Sequence, residues 1–243
     1  MDSNVLFMIL CALTTGLGAL PVLLIRSISH RQMDMILAYT AGIMVAASTY
    51  GLIPASLKLT NLYVLCIGVL AGALLLNLLE QFIPHVDVQH DRLQVLLPYQ
   101  SFMMVIAMTL HNIPEGLSVG ASFASETEHL GAVVALSIGL QNAPEGFLVA
   151  LFLINQKVNR YFALSLALLT GFIEFIASFI GYKLVNMALF LVPYGLAFAA
   201  GAMLFIVYKE LIPETHGHGY ERVATFSFLL GLLSMIGLVE WFR

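Results

Sequence analysis

Charge is what this chain has least of. Only 10% of its 243 residues are Asp, Glu, Lys or Arg, against 60% apolar and a mean hydropathy of +0.95; soluble domains carry roughly a quarter charged residues. That scarcity excludes a water-soluble globular protein, and the lack of a basic patch excludes a nucleic-acid partner. Cysteine is nearly absent: Cys11 and Cys66 both fall inside apolar runs, where a small hydrophobic packing role is expected. They make no disulfide framework. The amino terminus has no basic n-region, and the run from Val5 to Ile25 is too long for a signal-peptide core, so it reads as a retained first span. The net charge of -4 says little, because most charges fall in short loops.

What the chain does have is long apolar runs. At about twenty residues per span, roughly seven to nine helices use up the whole length and leave nothing for a soluble domain. The expected fold class is an all-α polytopic membrane protein, a single domain over 1-243 embedded in a lipid bilayer. Eight transmembrane helices are expected, with inverted repeats: Val5 to Ile25, Met33 to Leu57, Leu62 to Ile83, Pro98 to Ala124, Leu130 to Ile154, Tyr161 to Leu184, Ala188 to Leu211 and Val223 to Phe242. Placing both termini outside puts Arg26, Arg31, Arg92, Lys157, Arg160, Lys209 and Arg222 on the cytoplasmic side, against Lys58, Lys183 and Arg243 outside. The bias of basic residues toward the cytoplasm favours that orientation.

Two polar motifs interrupt the apolar background. His111-Asn112-Ile113-Pro114-Glu115-Gly116 lies near the middle of the fourth span, and Gln141-Asn142-Ala143-Pro144-Glu145-Gly146 repeats it in the fifth. A Pro-Glu-Gly run marks a turn in many soluble proteins, but here apolar sequence continues for about ten residues on both sides, at a depth where lipid tolerates no unpaired polar group. In a helix, residues three and four apart share a face. His111, Asn112 and Glu115 therefore point one way, and Gln141, Asn142 and Glu145 do the same. Each proline leaves a carbonyl, that of Leu110 or Leu140, without its helical donor and is expected to kink its span. Packed face to face, the two motifs offer two carboxylates, three amides and an imidazole. That oxygen-rich, thiolate-free set suits a divalent cation of borderline hardness.

The sixth span adds Glu174, about midway along it. One carboxylate at bilayer depth costs on the order of 3 kcal/mol, and Glu115, Glu145 and Glu174 together very roughly 8 to 10. A bound cation, protons or a water-filled cavity must offset that. Further echoes link the second and seventh spans: Ala41-Gly42 precedes Leu52-Ile53-Pro54 at the spacing with which Ala200-Gly201 precedes Leu211-Ile212-Pro213. Corresponding elements of opposite direction are the mark of inverted repeats in secondary transporters. Small residues, Gly68 and Gly72, Gly116 and Gly120, Gly146 and Ala150, favour close helix packing. His85, Asp87, His90 and Asp91, and Glu210, Glu214, His216 and His218, form two cytoplasmic clusters that hold metal transiently or are hydrated loop; His30, Glu126, Glu128 and His129 read as solvated helix ends.

With these motifs the chain resembles the ZIP family of divalent metal transporters over essentially its whole length. The His-Asn-x-Pro-Glu-Gly run, its x-Asn-x-Pro-Glu-Gly partner, Glu174 and the Glu210-Leu211-Ile212-Pro213-Glu214 run at the end of the seventh span carry the resemblance. It implies transport of zinc or a related ion into the cytoplasm through a binuclear centre. One metal would use His111, Glu115, Gln141, Glu145 and Glu174; the other would use Asn112, Glu115, Asn142, Glu145 and Glu174. Met44, Ser48 and Glu210 would line the way in and out. Gln141 and Asn142 depart from the histidine and aspartate found in many and in some members, which leaves selectivity open among zinc, iron, manganese and cadmium. The bound ion is cargo, and no catalytic cofactor is expected. A bacterial cytoplasmic membrane fits the compact loops; the oligomeric state is open, a homodimer included.

Adjacent buried carboxylates do not all ionise cheaply, so the empty centre is expected to share protons that metal displaces. Acid on the loading side is then expected to slow transport; uptake unchanged from about pH 8 to pH 5 would contradict this. An intramembrane metallohydrolase is the rival, but it would need a His-Glu-x-x-His pair that is absent here. A sensor without flux would need a soluble output segment, for which the loops are too short.

Overall fold

The computed structural model describes residues 3–25, 28–82, 99–125 and 129–241. The expectations placed on Arg26, Ile83, His85, Asp87, His90, Asp91, Arg92, Pro98, Glu126, Glu128, Phe242 and Arg243 lie outside the described residues.

Among the described residues there are eight helices long and apolar enough to cross a membrane: α1 Ser3–Leu23, α2 His30–Leu59, α3 Leu62–Leu79, α4 Ser101–Ala124, α5 Leu130–Asn155, α6 Arg160–Val185, α7 Leu189–Glu214 and α8 Glu221–Trp241. α2 starts three residues before the expected Met33 because Ser29 and Gln32 form a reciprocal cap over its first turn. α6 is capped by the Asn159 side chain, which accepts from the Tyr161 amide. α4 and α5 run unbroken through Pro114 and Pro144.

α2 and α7 handle their prolines differently. Each widens into a π-helical stretch just before one, Ala47–Leu52 ahead of Pro54 and Val207–Leu211 ahead of Pro213. The wider turn relieves the contact between the proline ring and the carbonyl four residues back. Because the widened turn absorbs the proline, α7 continues through Lys209 and Glu210 to Glu214, past the expected end at Leu211.

Packing falls into pairs. α4 lies most extensively against α6 and α1 against α5, while α2 lies against α8 and α3 against α7. These pairings are related by the repeat. Gly42 and Gly201, Gly72 and Gly231, and Thr15 and Glu174 are separated by the same number of residues. A Cβ at Gly42 would strike the Phe228 carbonyl of α8, and one at Gly201 the Val69 carbonyl of α3. α1, α2 and α3 thus take the places of α6, α7 and α8 in a second half, with α4 and α5 exchanging roles. By count of crossings the corresponding helices run in opposite directions, the arrangement of an inverted repeat.

Burial separates centre from periphery. α5 is 67% buried, whereas α3 and α8 are 22% and 28% buried and turn Leu70, Leu74, Phe226, Leu230 and Leu233 outward. Ile43, Met44, Leu196, Met203 and Ile206 of α2 and α7 fill the main core. α5 therefore stands between the outer helices with its polar motif enclosed.

Candidate metal centre

The seven expected residues are all buried. Glu115, Gln141 and Glu174 are 0% exposed, Asn112 and Asn142 1%, Glu145 7% and His111 9%. They come from the middle of α4, α5 and α6, which the close approach of small residues draws together. A Cβ at Gly116 would strike the Glu174 carbonyl, and one at Gly146 the Thr15 carbonyl. Without those glycines, α6 and α1 would be held away from the polar faces of α4 and α5.

Local hydrogen bonds divide the set. Gln141 Nε2 donates to Glu115 Oε1, and Asn142 Nδ2 donates to Glu174 Oε2 at 2.7 Å. His111 Nε2 lies 3.4 Å from Glu210 Oε2 of the π-helical stretch in α7. His111, Glu145, Lys209, Glu210 and Glu214 line a cavity of about 540 Å³. A second cavity of about 250 Å³, bordered by Tyr50, Lys58, His129 and Ser137, lies toward the opposite end of the bundle.

The bonds leave a remainder. Asn112 Oδ1, Glu115 Oε2, Gln141 Oε1 and Asn142 Oδ1 are buried with no hydrogen-bond partner, as is Asn112 Nδ2. Leaving such a group unpaired costs about 1–3 kcal/mol each. Native proteins carry few of them, so four orphan oxygens on the facing motifs of α4 and α5 ask for a ligand. Among the described residues no group of three or more His, Cys, Asp and Glu is arranged to hold a metal by itself. A cation here has to use the amide oxygens as well as the carboxylates, which suits a hard or borderline ion.

A family model described as ZIP zinc transporter matches residues 87–239. The chain belongs to the ZIP zinc transporter family. It is 36% identical over 244 residues to the zinc transporter GufA of Myxococcus xanthus, covering 96% of each chain. It is 34% identical to the zinc transporter ZIPB of Bordetella bronchiseptica, covering 92% of this chain and 76% of that one. Identity to the zinc transporter ZupT of Stenotrophomonas maltophilia is 28%, over 94% of this chain and 93% of that one. Membership makes this a multi-pass membrane protein that transports divalent metal, not an enzyme.

Other residues of this ZIP transporter make contacts that the sequence did not foretell. Met44 and Ser48 are buried, but the Ser48 hydroxyl is spent on the Met44 carbonyl at 2.8 Å. His30 is an exposed helix end as expected, and its ring also stacks on His218 with centroids 4.6 Å apart. His218 Nδ1 lies 3.1 Å from Oδ1 of Asp34, a fully buried carboxylate. Cys11, expected only to pack, places Sγ 3.3 Å from Glu174 Oε1. For Thr15 the one available signal was the repeat, which sets it opposite Glu174.

Proposed function

We propose that this transporter carries zinc into the cytoplasm through a binuclear centre built from His111, Asn112, Glu115, Gln141, Asn142, Glu145 and Glu174. The observation that carries the reading is the set of four buried, unpartnered oxygens on the motifs of α4 and α5, whose residues His111 and Glu145 also line the larger cavity. Glu115, Glu145 and Glu174 would bridge the two ions, each carboxylate offering two oxygens. Zinc is supported by the names of the GufA, ZIPB and ZupT relatives. The neutral amides Gln141 and Asn142 leave room for manganese, iron or cadmium at lower preference.

Direction rests on orientation. With both termini outside a bacterial cytoplasmic membrane, the larger cavity, walled by Glu210 and Glu214, opens toward the cytoplasm and is the way out. The smaller cavity beside Lys58 and His129 then faces outward.

Uptake of radioactive zinc into proteoliposomes tests the reading, wild type against Glu145→Ala, with manganese and iron as competitors. Saturable uptake that the substitution abolishes is expected. No uptake above empty liposomes by folded protein, or full uptake by Glu145→Ala, would overturn it.

A further inference from the structure

The first span was silent in the sequence, yet the repeat gives it a seat at the centre. α1 lies against α5 as α6 lies against α4: Thr15 meets Gly146 where Glu174 meets Gly116. Cys11 is one helical turn before Thr15 and shares its face. Its Sγ, in a residue only 4% exposed, lies 3.3 Å from the Ala135 carbonyl and 3.3 Å from Glu174 Oε1. The single thiol proton has both acceptors within reach.

Glu174 is consequently held on both oxygens, by the Cys11 thiol on Oε1 and the Asn142 amide on Oε2. Beside this pair Asn142 Oδ1, on a residue 1% exposed, has no hydrogen-bond partner, and Thr15, also 1% exposed, faces the same carboxylate. Each carboxylate oxygen has two lone pairs, so Glu174 can keep its donors while it binds a cation. Donors placed behind a ligand in this way fix its orientation, and losing one typically costs about 10- to 100-fold in metal affinity.

We propose that Cys11 is a positioning residue of the metal centre, whose thiol aims the Glu174 carboxylate at the ion. This rests on Glu174 being a metal ligand, as inferred above. The role belongs to the donor hydrogen, so serine replaces it and alanine does not. A cysteine that merely filled space would be replaced equally well by either.

The test is calorimetric zinc titration of the purified full chain in detergent, with size exclusion and thermal unfolding to establish that each protein is folded. Cys11→Ala is expected to weaken zinc binding about 10- to 100-fold, and Cys11→Ser to stay close to wild type. In a Glu174→Gln background, Cys11→Ala is expected to add nothing, because its effect passes through that carboxylate. Should Cys11→Ala not fold, Cys11→Val fills the volume without the donor and is expected to show the same weakening. Equal effects of alanine and serine, no effect of alanine, or an undiminished effect in the Glu174→Gln background would overturn the role of Cys11 while leaving the centre standing. Folded wild type that binds no zinc, or Glu145→Ala that binds it unchanged, would overturn the centre and the role of Cys11 with it.

Discussion

Asn142 is the residue on which metal-free stability and metal binding pull in opposite directions. Its Nδ2 donates to Glu174 Oε2 at 2.7 Å while its Oδ1 has no partner. Asn142→Asp removes the donor and sets two buried carboxylates face to face, which is expected to destabilise the empty protein by about 3 kcal/mol. The added anion is expected to tighten zinc binding, and a hundredfold tighter dissociation constant than wild type returns about 2.7 kcal/mol of that difference at saturating zinc. Thermal unfolding with and without zinc checks this: the variant should melt well below wild type without metal and close most of the gap with it. That all seven candidate ligands are held inside the bundle was legible, because a carboxylate, amide or imidazole amid apolar sequence has no ordinary explanation. Cys11 and Thr15 were not, since a lone cysteine or threonine is at home in any apolar helix. Nor was the pairing of Asp34 with His218, which joins the start of α2 to the segment between α7 and α8.

For helices, close approach decides which glycines matter. At Gly146 a Cβ would strike the Thr15 carbonyl, whereas at Gly237 nothing lies within 4 Å. Gly146→Ala is therefore expected to cost about 1–3 kcal/mol by pushing α1 from α5. Gly237→Ala, in an open helix interior, is expected to be neutral or to stabilise by up to about 1 kcal/mol. The order of melting temperatures of the purified variants checks both; equal shifts would contradict the packing of α1 on α5. Helix number and order could be read from hydropathy because each apolar run is long enough to span. The π-helical stretches could not. Pro54 and Pro213 read as stop signals, and only the backbone reveals that a widened turn carries the helix past them.

At the scale of the whole molecule, helix pairing groups α4, α5 and α6, which carry the seven candidate ligands, with α1, and pairs α2 with α8 and α3 with α7 beside them. The expected orientation makes a direct prediction. In a Cys66→Ser background, Lys58→Cys at the end of α2 should react with a membrane-impermeant maleimide added to intact cells. Lys157→Cys, between α5 and α6, should react only after permeabilisation; the reverse pattern would invert the topology and with it the direction of transport. The orientation rests on the basic residues alone, whereas the repeat that joins α4 to α5 was legible from the paired motifs. The correspondence of α1 with α6 was not, because Thr15 and Glu174 share position without sharing chemistry.

That mismatch has a thermodynamic side. A backbone that repeats itself upside down can exchange the surroundings of its two halves and arrive at a second conformation with nearly the same packing energy. Perfect internal symmetry would make the two states equally populated. The bias then comes from the side chains that break the symmetry, Glu174 against Thr15, His111 against Gln141 and Glu210 against Gly51. A preference of only about 1.4 kcal/mol between them is tenfold in population, small enough for one arriving or departing ion to reverse.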